Sequence, residues 1–80
     1  MKVHEAVATR IQELCKERGL TINALARIAA LPPSTVKSIV YGLSKNPGIT
    51  TIKILCDGLD ISLVEFFDAE VFRRLEQEIE

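Results

Sequence analysis

Apolar residues recur at helical spacing along most of the chain, and short polar or glycine-containing segments separate the apolar stretches. The first stretch, residues 3–18, is followed directly by Gly19, a favourable residue for ending a helix. Its apolar side consists of Val7, Ile11, Leu14 and Cys15. No segment alternates with period two for long enough to indicate a β-strand. The pattern therefore predicts an all-α fold whose first helix runs from Val3 to Arg18.

A double proline separates the next two helical stretches. Thr21 is a favourable N-cap for helix 2. The apolar face of helix 2 consists of Ile22, Leu25, Ala26 and Ala29. Pro32 is expected to end this helix, because proline disfavours the helical conformation of the residue before it. Pro33 is expected at the first position of helix 3, where its missing N–H costs no hydrogen bond.

Helix 3 carries two stripes on opposite sides and is expected to end at Gly42. The apolar stripe consists of Val36, Ile39, Val40 and Leu43, and the polar stripe of Ser34, Lys37, Ser38 and Tyr41. Two helices joined by an abrupt turn form a helix-turn-helix arrangement. Its second helix can present one face to the major groove of DNA. The polar stripe is a candidate for that face, and the simpler alternative is an ordinary solvated surface.

The second half of the chain predicts two further helices and a C-terminal extension. A polar loop over residues 44–48 leads to Thr50 or Thr51 as the N-cap of helix 4, and Asp60 and Ser62 can start helix 5. The expected buried residues are Ile52, Leu55, Cys56 and Leu59 in helix 4 and Leu63, Phe66 and Phe67 in helix 5. We therefore expect a domain over residues 1–68.

Residues 69–80 form an amphipathic pattern that either continues helix 5 or makes a sixth helix. Its apolar positions are Val71, Phe72, Leu75 and Ile79. These side chains could pack onto their own domain or against a second chain. The chain shows no other oligomerisation segment, so we expect them to contribute to a twofold-symmetric dimer.

Charge is distributed unevenly along the 80 residues, although the net charge is only −1. Residues 1–56 carry eight Lys and Arg against three Glu, which gives +5, and residues 57–80 carry two Arg against eight acids, which gives −6. This asymmetry is compatible with a basic face for an anionic partner and an acidic end held away from it. It is equally compatible with ordinary surface charge.

The sequence argues against an enzyme, a metal site and a membrane protein. His4 is the only histidine, and no catalytic triad, metal-ligand cluster, cofactor motif or glycine-rich phosphate loop is present. Cys15 and Cys56 lie on apolar stripes and are interpreted as reduced, buried thiols. No apolar run reaches the ~18 residues of a membrane span, and residues 1–10 do not resemble a signal peptide. We expect a cytoplasmic protein without a small-molecule ligand.

Three consecutive segments, with their spacing, resemble the phage-repressor (Xre/Cro) family of DNA-binding domains. They are IQELCKERGLT, INALARIAALPPSTVKSIVYG and NPGITTIKILCDGLDISLVEFF. The shared features include the Leu25-Ala26 pair, the Ser-Thr-hydrophobic opening of helix 3 and the Pro47 that follows the loop. The resemblance implies a five-helix domain with its helix-turn-helix at helices 2 and 3. It also implies that the partner is double-stranded DNA.

The family resemblance assigns roles to individual positions of helix 3, the recognition helix at about 33–41. The residues implied to face base edges are Pro33, Ser34, Lys37 and Ser38. Those implied to contact the sugar-phosphate backbone are Thr35, Tyr41, Lys45 and Asn46. Lys37 is the best candidate for a guanine contact. The chain departs from the family pattern at Ile22 and Pro33, where Gln is common, and at Ala30, where Gly is preferred.

Two functions remain open at the level of sequence. The first is a transcriptional regulator, expected to be a repressor that binds a palindromic operator as a homodimer. The alternative is a helix-turn-helix module used for protein binding, for example as an antitoxin-like partner. Their dependence on salt would distinguish them, because binding through several phosphates weakens steeply as salt rises.

Overall fold

The computed structural model describes all residues, 1–80, and contains five α-helices and one 3₁₀ helix without strands. The helices are α1 (Val3–Arg18), α2 (Ile22–Ile28), α3 (Pro33–Val40), α4 (Ile49–Leu59), α5 (Leu63–Phe67) and the 3₁₀ helix Glu70–Arg74. The predicted five-helix, all-α fold is confirmed. None of these helices has the length and apolar character needed to cross a bilayer.

Local capping explains where several helices begin and end. Gly19 adopts the left-handed conformation (φ 62°) and ends α1, as predicted. The hydroxyl of Thr21 accepts a hydrogen bond from the N–H of Ala24 at 3.0 Å, which confirms Thr21 as the N-cap of α2. Ser62 and Glu65 form a reciprocal capping box at the start of α5. These interactions are local, so the sequence alone carries the signal for them.

The break between α2 and α3 is made by Ala30 rather than by proline. Helix α2 ends at Ile28, four residues before Pro32, so the expectation that Pro32 ends it was wrong. Ala30 adopts a left-handed conformation (φ 55°), which turns the chain away from the helix axis. Pro32 instead forms the N-cap of α3, and Pro33 occupies its first position as predicted. The prolines therefore start α3.

The core gathers one apolar face from each of the five α-helices. Its buried members are Val7, Ile11, Leu14, Cys15, Leu25, Ala26, Ala29, Val36, Ile39, Val40, Ile52, Leu55, Cys56, Leu59 and Phe66. This confirms most of the predicted apolar stripes. Leu43 departs most from the prediction, because left-handed Gly42 (φ 75°) redirects the chain and leaves Leu43 76% exposed. Ile22, Leu63 and Phe67 are only partly buried, although they pack against the core.

A glycine allows α2 and α4 to pack closely. A Cβ atom at Gly58 of α4 would lie 3.2 Å from the Cα and 3.3 Å from the Cβ of Ala29. These distances are shorter than ordinary van der Waals contact. Gly58 therefore sets the separation at which the helix-turn-helix rests on α4.

The predicted start of helix 4 was wrong. Gly48, in an extended conformation, is the N-cap, so Thr50 and Thr51 lie inside the first turn of α4. Glycine is an acceptable N-cap although it offers no side-chain acceptor. As a result, no side chain caps the first turn of this helix.

The C-terminal extension is helical only over Glu70–Arg74, where it forms a 3₁₀ helix. Residues 75–80 are not helical, so the predicted amphipathic helix over 69–80 is wrong beyond Arg74. The N–H of Glu76 donates to the carbonyl of Met1 at 3.0 Å and makes no intrahelical bond. The extension thus continues alongside the start of α1.

The two cysteines are free and buried, which confirms their interpretation as core thiols. Burial raises the pKa of both Cys15 and Cys56, which keeps these thiols protonated at neutral pH. We infer that they contribute packing, because the thiolate is the reactive form.

We predict that Ala30→Gly stabilises the domain. A left-handed alanine costs roughly 1 kcal/mol that glycine does not incur, so the free energy of unfolding should rise by about 0.5 to 1 kcal/mol. Urea denaturation measures this change. Ala24→Gly, the same substitution inside α2, should instead lower the free energy of unfolding by about 0.5 kcal/mol. A destabilised Ala30→Gly protein would contradict the assignment of strain to this turn.

Candidate nucleic-acid interface

The orientation of α3 follows from its three buried side chains. Val36, Ile39 and Val40 are at most 5% exposed and lie in the core. The end of α3 is also tied to α1, since the Gln12 amide donates to the carbonyl of Val40 at 3.5 Å. The other side of α3 consequently faces outward, and it carries the predicted polar stripe.

The structure leaves the predicted base-facing residues accessible. Pro33 and Ser34 are exposed in the first turn of α3, and Lys37 and Ser38 are half-buried one turn later. Neither a hydrogen bond nor an ion pair occupies the Lys37 ammonium group. Tyr41 is 64% exposed at the end of the helix. The outward stripe can therefore meet an external partner without rearrangement.

A polar cleft of about 240 Å³ lies between α3, the α3–α4 loop and the start of α4. Its lining residues are Thr35, Ser38, Ile39, Ser44, Pro47, Gly48 and Thr51. Four of them carry hydroxyl groups, and the uncapped first turn of α4 lies at the same place. Backbone N–H groups at such a helix start can donate to an anion.

Thr35 and Ser38 of this cleft are among the predicted interface residues, whereas Ser44 and Thr51 are not. Thr51 was expected to cap its own helix, and Ser44 was treated only as part of a loop. The cleft forms because the loop after α3 folds back onto this helix, and the N–H of Ser44 donates a hydrogen bond to the carbonyl of Ser38 at 2.9 Å. The sequence feature that could have revealed Thr51 is Gly48. Glycine is an acceptable N-cap, and with Gly48 at that position the hydroxyl of Thr51 is not needed for capping. The predicted backbone residues Lys45 and Asn46 are exposed in the same loop.

The segment that contains the helix-turn-helix, residues 18–56, carries no carboxylate side chain. Residues 18–56 include no Asp or Glu, whereas they contain Arg18, Arg27, Lys37, Lys45 and Lys53. Arg18 lies 3.9 Å from Glu17, and Lys53 pairs with Asp57 one turn further along α4. Arg27 of α2, Lys37 of α3 and Lys45 of the loop make no ion pair. The absence of acidic residues over 18–56 locates the basic surface more narrowly than the net charges of residues 1–56 and 57–80 do.

Arg10 belongs to the scaffold and not to the basic surface. Its guanidinium donates to the carbonyl oxygens of Phe66 at 2.7 Å and Glu65 at 2.9 Å. These carbonyls end the short helix α5, so Arg10 joins α5 to α1. By its charge, Arg10 counts with the basic part of the chain, residues 1–56. Its contact with Phe66 cannot be inferred from the sequence, because the two residues are 56 positions apart.

The residues of the extension predicted for dimerisation do not form one continuous stripe. Phe72 packs in its own domain, with ring centroids 4.9 Å from Phe67 and 6.0 Å from Phe66. Val71 is half-buried, whereas Leu75 is 38% and Ile79 80% exposed. Only part of the predicted set is therefore available to a second chain.

The extension is held on α1 by polar contacts. The Met1 ammonium group lies 3.0 Å from the Glu76 carboxylate. The hydrogen bond that the ammonium group donates lowers the pKa of Glu76. Glu78 accepts a hydrogen bond from the N–H of Val3 at 3.1 Å. Because the ionised form of Glu76 makes the contact, protonation of Glu76 at low pH should loosen the extension.

The sequence model of the Cro/C1-type helix-turn-helix DNA-binding domain matches residues 10–71. This chain belongs to the Cro/C1-type family. The match covers all five α-helices except the first turns of α1, and it includes α3 and the whole of the polar cleft described above. The matched family consists of DNA-binding domains and not of enzymes, and the partner of such a domain is double-stranded DNA.

Solved structures agree with this assignment. The Cro/C1-type domain superposes on the crystal structure of prophage Lp1 protein 11 with a TM-score of 0.80 and 41% identity, covering 94% of this chain and 100% of that chain. It superposes on an HTH_3 family transcriptional regulator from Vibrio cholerae with a TM-score of 0.74 and 30% identity. That alignment covers 80% of this chain but only 35% of the Vibrio protein. No curated protein sequence matches the chain significantly.

We predict that Arg10→Met destabilises the Cro/C1-type domain without weakening DNA binding by the folded protein. Two carbonyls lose a charged donor, and the expected loss is about 1 to 2 kcal/mol in the free energy of unfolding. Lys16→Met is the matched control, because it removes an exposed cation of α1 that makes no ion pair. It should change the free energy of unfolding by less than about 0.5 kcal/mol. A large loss of DNA affinity in folded Arg10→Met would place Arg10 in the interface instead.

Proposed function

We propose that this Cro/C1-type domain is a cytoplasmic, sequence-specific repressor that binds a palindromic operator as a homodimer through α3. The observation that carries the proposal is the acid-free stretch 18–56, whose three unpaired cations lie on α2, α3 and the following loop. DNA phosphates repel carboxylates and attract such cations. A regulator of this kind represses by occupying DNA, which requires no further contact with the transcription machinery.

Base recognition is assigned to the outward stripe of α3. Lys37 is proposed to donate to O6 and N7 of a guanine, the acceptors that guanine presents in the major groove. Ser34 and Ser38 can donate to or accept from neighbouring base edges. Pro33 meets a base edge without hydrogen bonding. The accessibility of all four residues supports this assignment.

Backbone contacts are assigned to the polar cleft and the loop beside it. Thr35 lines the cleft, and Lys45 and Asn46 lie in the loop that follows α3. Hydroxyl groups, amides and helix N-termini are common phosphate-binding groups, and their contacts fix the register of a protein on DNA. Tyr41 at the end of α3 would contact a sugar or phosphate at the groove edge.

The dimer is proposed because one such domain makes few contacts with a duplex. Two copies on half-sites about 34 Å apart would double those contacts and read a palindrome. The proposed interface is the extension over Val71, Phe72, Leu75 and Ile79, in which Leu75 and Ile79 offer exposed apolar surface. Phe72, packed on α5, would support the interface from within its own chain.

Protein binding through the same surface is the second candidate function. Three exposed apolar residues favour it, since Tyr41, Leu43 and Ile49 follow one another around the α3–α4 loop at 64%, 76% and 59% exposure. Such residues are typical of protein contacts. An apolar contact of this kind would depend little on salt.

We predict that selection from a random duplex pool enriches a symmetric motif, and that Lys37→Met weakens binding to this motif about tenfold or more. A good base contact is worth about 1 to 3 kcal/mol. The affinity should also fall steeply with salt, with a slope of about 0.9 in log–log units for each phosphate contacted. Lys53→Met is the control, because Lys53 already pairs with Asp57. An unenriched pool and salt-independent partner binding would favour the protein-binding alternative.

We predict that replacing both Leu75 and Ile79 by Ser abolishes dimer formation, because their apolar area is removed from the proposed interface. Sedimentation of the full chain, alone and on a palindromic duplex, measures the number of chains per complex. Leu43→Ser removes a comparably exposed apolar side chain elsewhere and should leave the dimer unchanged. Dimers that persist in the double variant would exclude the extension from the interface.

A further inference from the structure

The exposed first residue of α3 has a side chain that cannot form a hydrogen bond. Pro33 lies at the first helical position, beside exposed Ser34 and one turn before Lys37. Its backbone angle is fixed by its own ring, and its side chain has almost no rotamer freedom to lose on binding. The carbonyl of Pro32 accepts a hydrogen bond from Thr35 at 3.0 Å, which holds this turn in place. Pro33 therefore presents a rigid apolar surface.

The major groove offers few partners for such a surface. Guanine, adenine and cytosine present hydrogen-bonding groups there, and thymine alone adds an apolar group, its C5 methyl. A proline placed against a donor or acceptor would displace water from that group without replacing its hydrogen bond. Contact with a methyl group incurs no such loss.

We propose that Pro33 is a specificity-determining residue that reads the C5 methyl group of a pyrimidine in the operator. This inference rests on the proposed function, in which α3 lies in the major groove. The recognised group is the methyl group itself. Because 5-methylcytosine carries a methyl group at the same ring position as thymine, Pro33 is expected to contact both bases in the same way. Methylation of cytosine at this position would then strengthen binding.

The geometry of α3 also places the methyl group relative to the guanine assigned to Lys37. Pro33 and Lys37 are four residues apart and share one side of the helix. One turn of helix advances about 5.4 Å, and neighbouring base pairs are about 3.4 Å apart. The methyl-bearing pyrimidine therefore lies within about two base pairs of that guanine in each half-site.

The test uses the full chain and the selected operator duplex. Each thymine is replaced in turn by deoxyuridine, which removes only the methyl group. One position in each half-site should lose about fourfold in affinity, the equivalent of about 0.8 kcal/mol for one buried methyl-sized group. At that position, a cytosine duplex and its 5-methylcytosine counterpart should differ by a similar factor.

Two variants assign the effect to one proline. Pro33→Ser should bind the thymine and deoxyuridine duplexes equally well, whereas Pro32→Ser, the control at the N-cap, should keep the fourfold difference. Circular dichroism checks that both variants fold. The thymine and deoxyuridine duplexes are also compared with the unsubstituted protein, and this comparison does not depend on whether the variants fold.

The outcomes separate this inference from the function on which it rests. A pool without any enriched motif overturns both. An enriched motif that is bound equally with thymine and deoxyuridine at every position overturns the methyl reading and leaves the regulator intact. If the affinity difference between thymine and deoxyuridine duplexes persists in Pro33→Ser, or disappears in Pro32→Ser, Pro33 is not the residue that recognises the methyl group.

Discussion

Burial of Val36, Ile39 and Val40 is the constraint on which the rest of the interface depends. These side chains hold α3 against α1 and α2, and so determine which of its residues face outward. A rotation of α3 by one residue, about 100°, would move Lys37 towards the core and expose an apolar side chain. Hydrophobic packing on one side of an eight-residue helix thus positions the polar groups on the other.

Scaffold and binding surface use charged groups in different ways. Arg10, Lys53, Arg73 and Arg74 contact carbonyl or carboxylate oxygens of their own chain. Arg27, Lys37 and Lys45 have no such partner. Exposed cations without internal partners need not break an ion pair when they meet phosphate. Net charge near zero is therefore compatible with DNA binding, because the acids lie outside the helix-turn-helix.

The features of the fold that can be predicted from the sequence are those determined by local interactions. Gly19, Thr21 and Ser62 act within a few residues of their own position, and the apolar spacing of α3 directly specifies its buried side. Most proposed interface residues could be found in this way. The start of α4 was predicted wrongly because Gly48, Thr50 and Thr51 are all acceptable N-caps, and residue preference alone does not decide between them. The guanidinium of Arg10 finds its carbonyl partners 56 and 55 residues away, which periodicity cannot reveal. The ring of Phe72 packs on Phe66 and Phe67 of α5, and apolar spacing alone does not distinguish this contact from one with a second chain.

The contacts between residues 1–3 and 76–78 bring both ends of the domain to one place. The main chain of Glu76 bonds to Met1, and Glu78 reaches the N–H of Val3. Domains whose ends meet commonly tolerate circular permutation or insertion into a host loop. New ends opened in another surface loop, with the present ones joined by a short linker, would leave α2 and α3 in their native order. A DNA-binding domain of this shape could therefore be inserted within another protein as well as attached at its end.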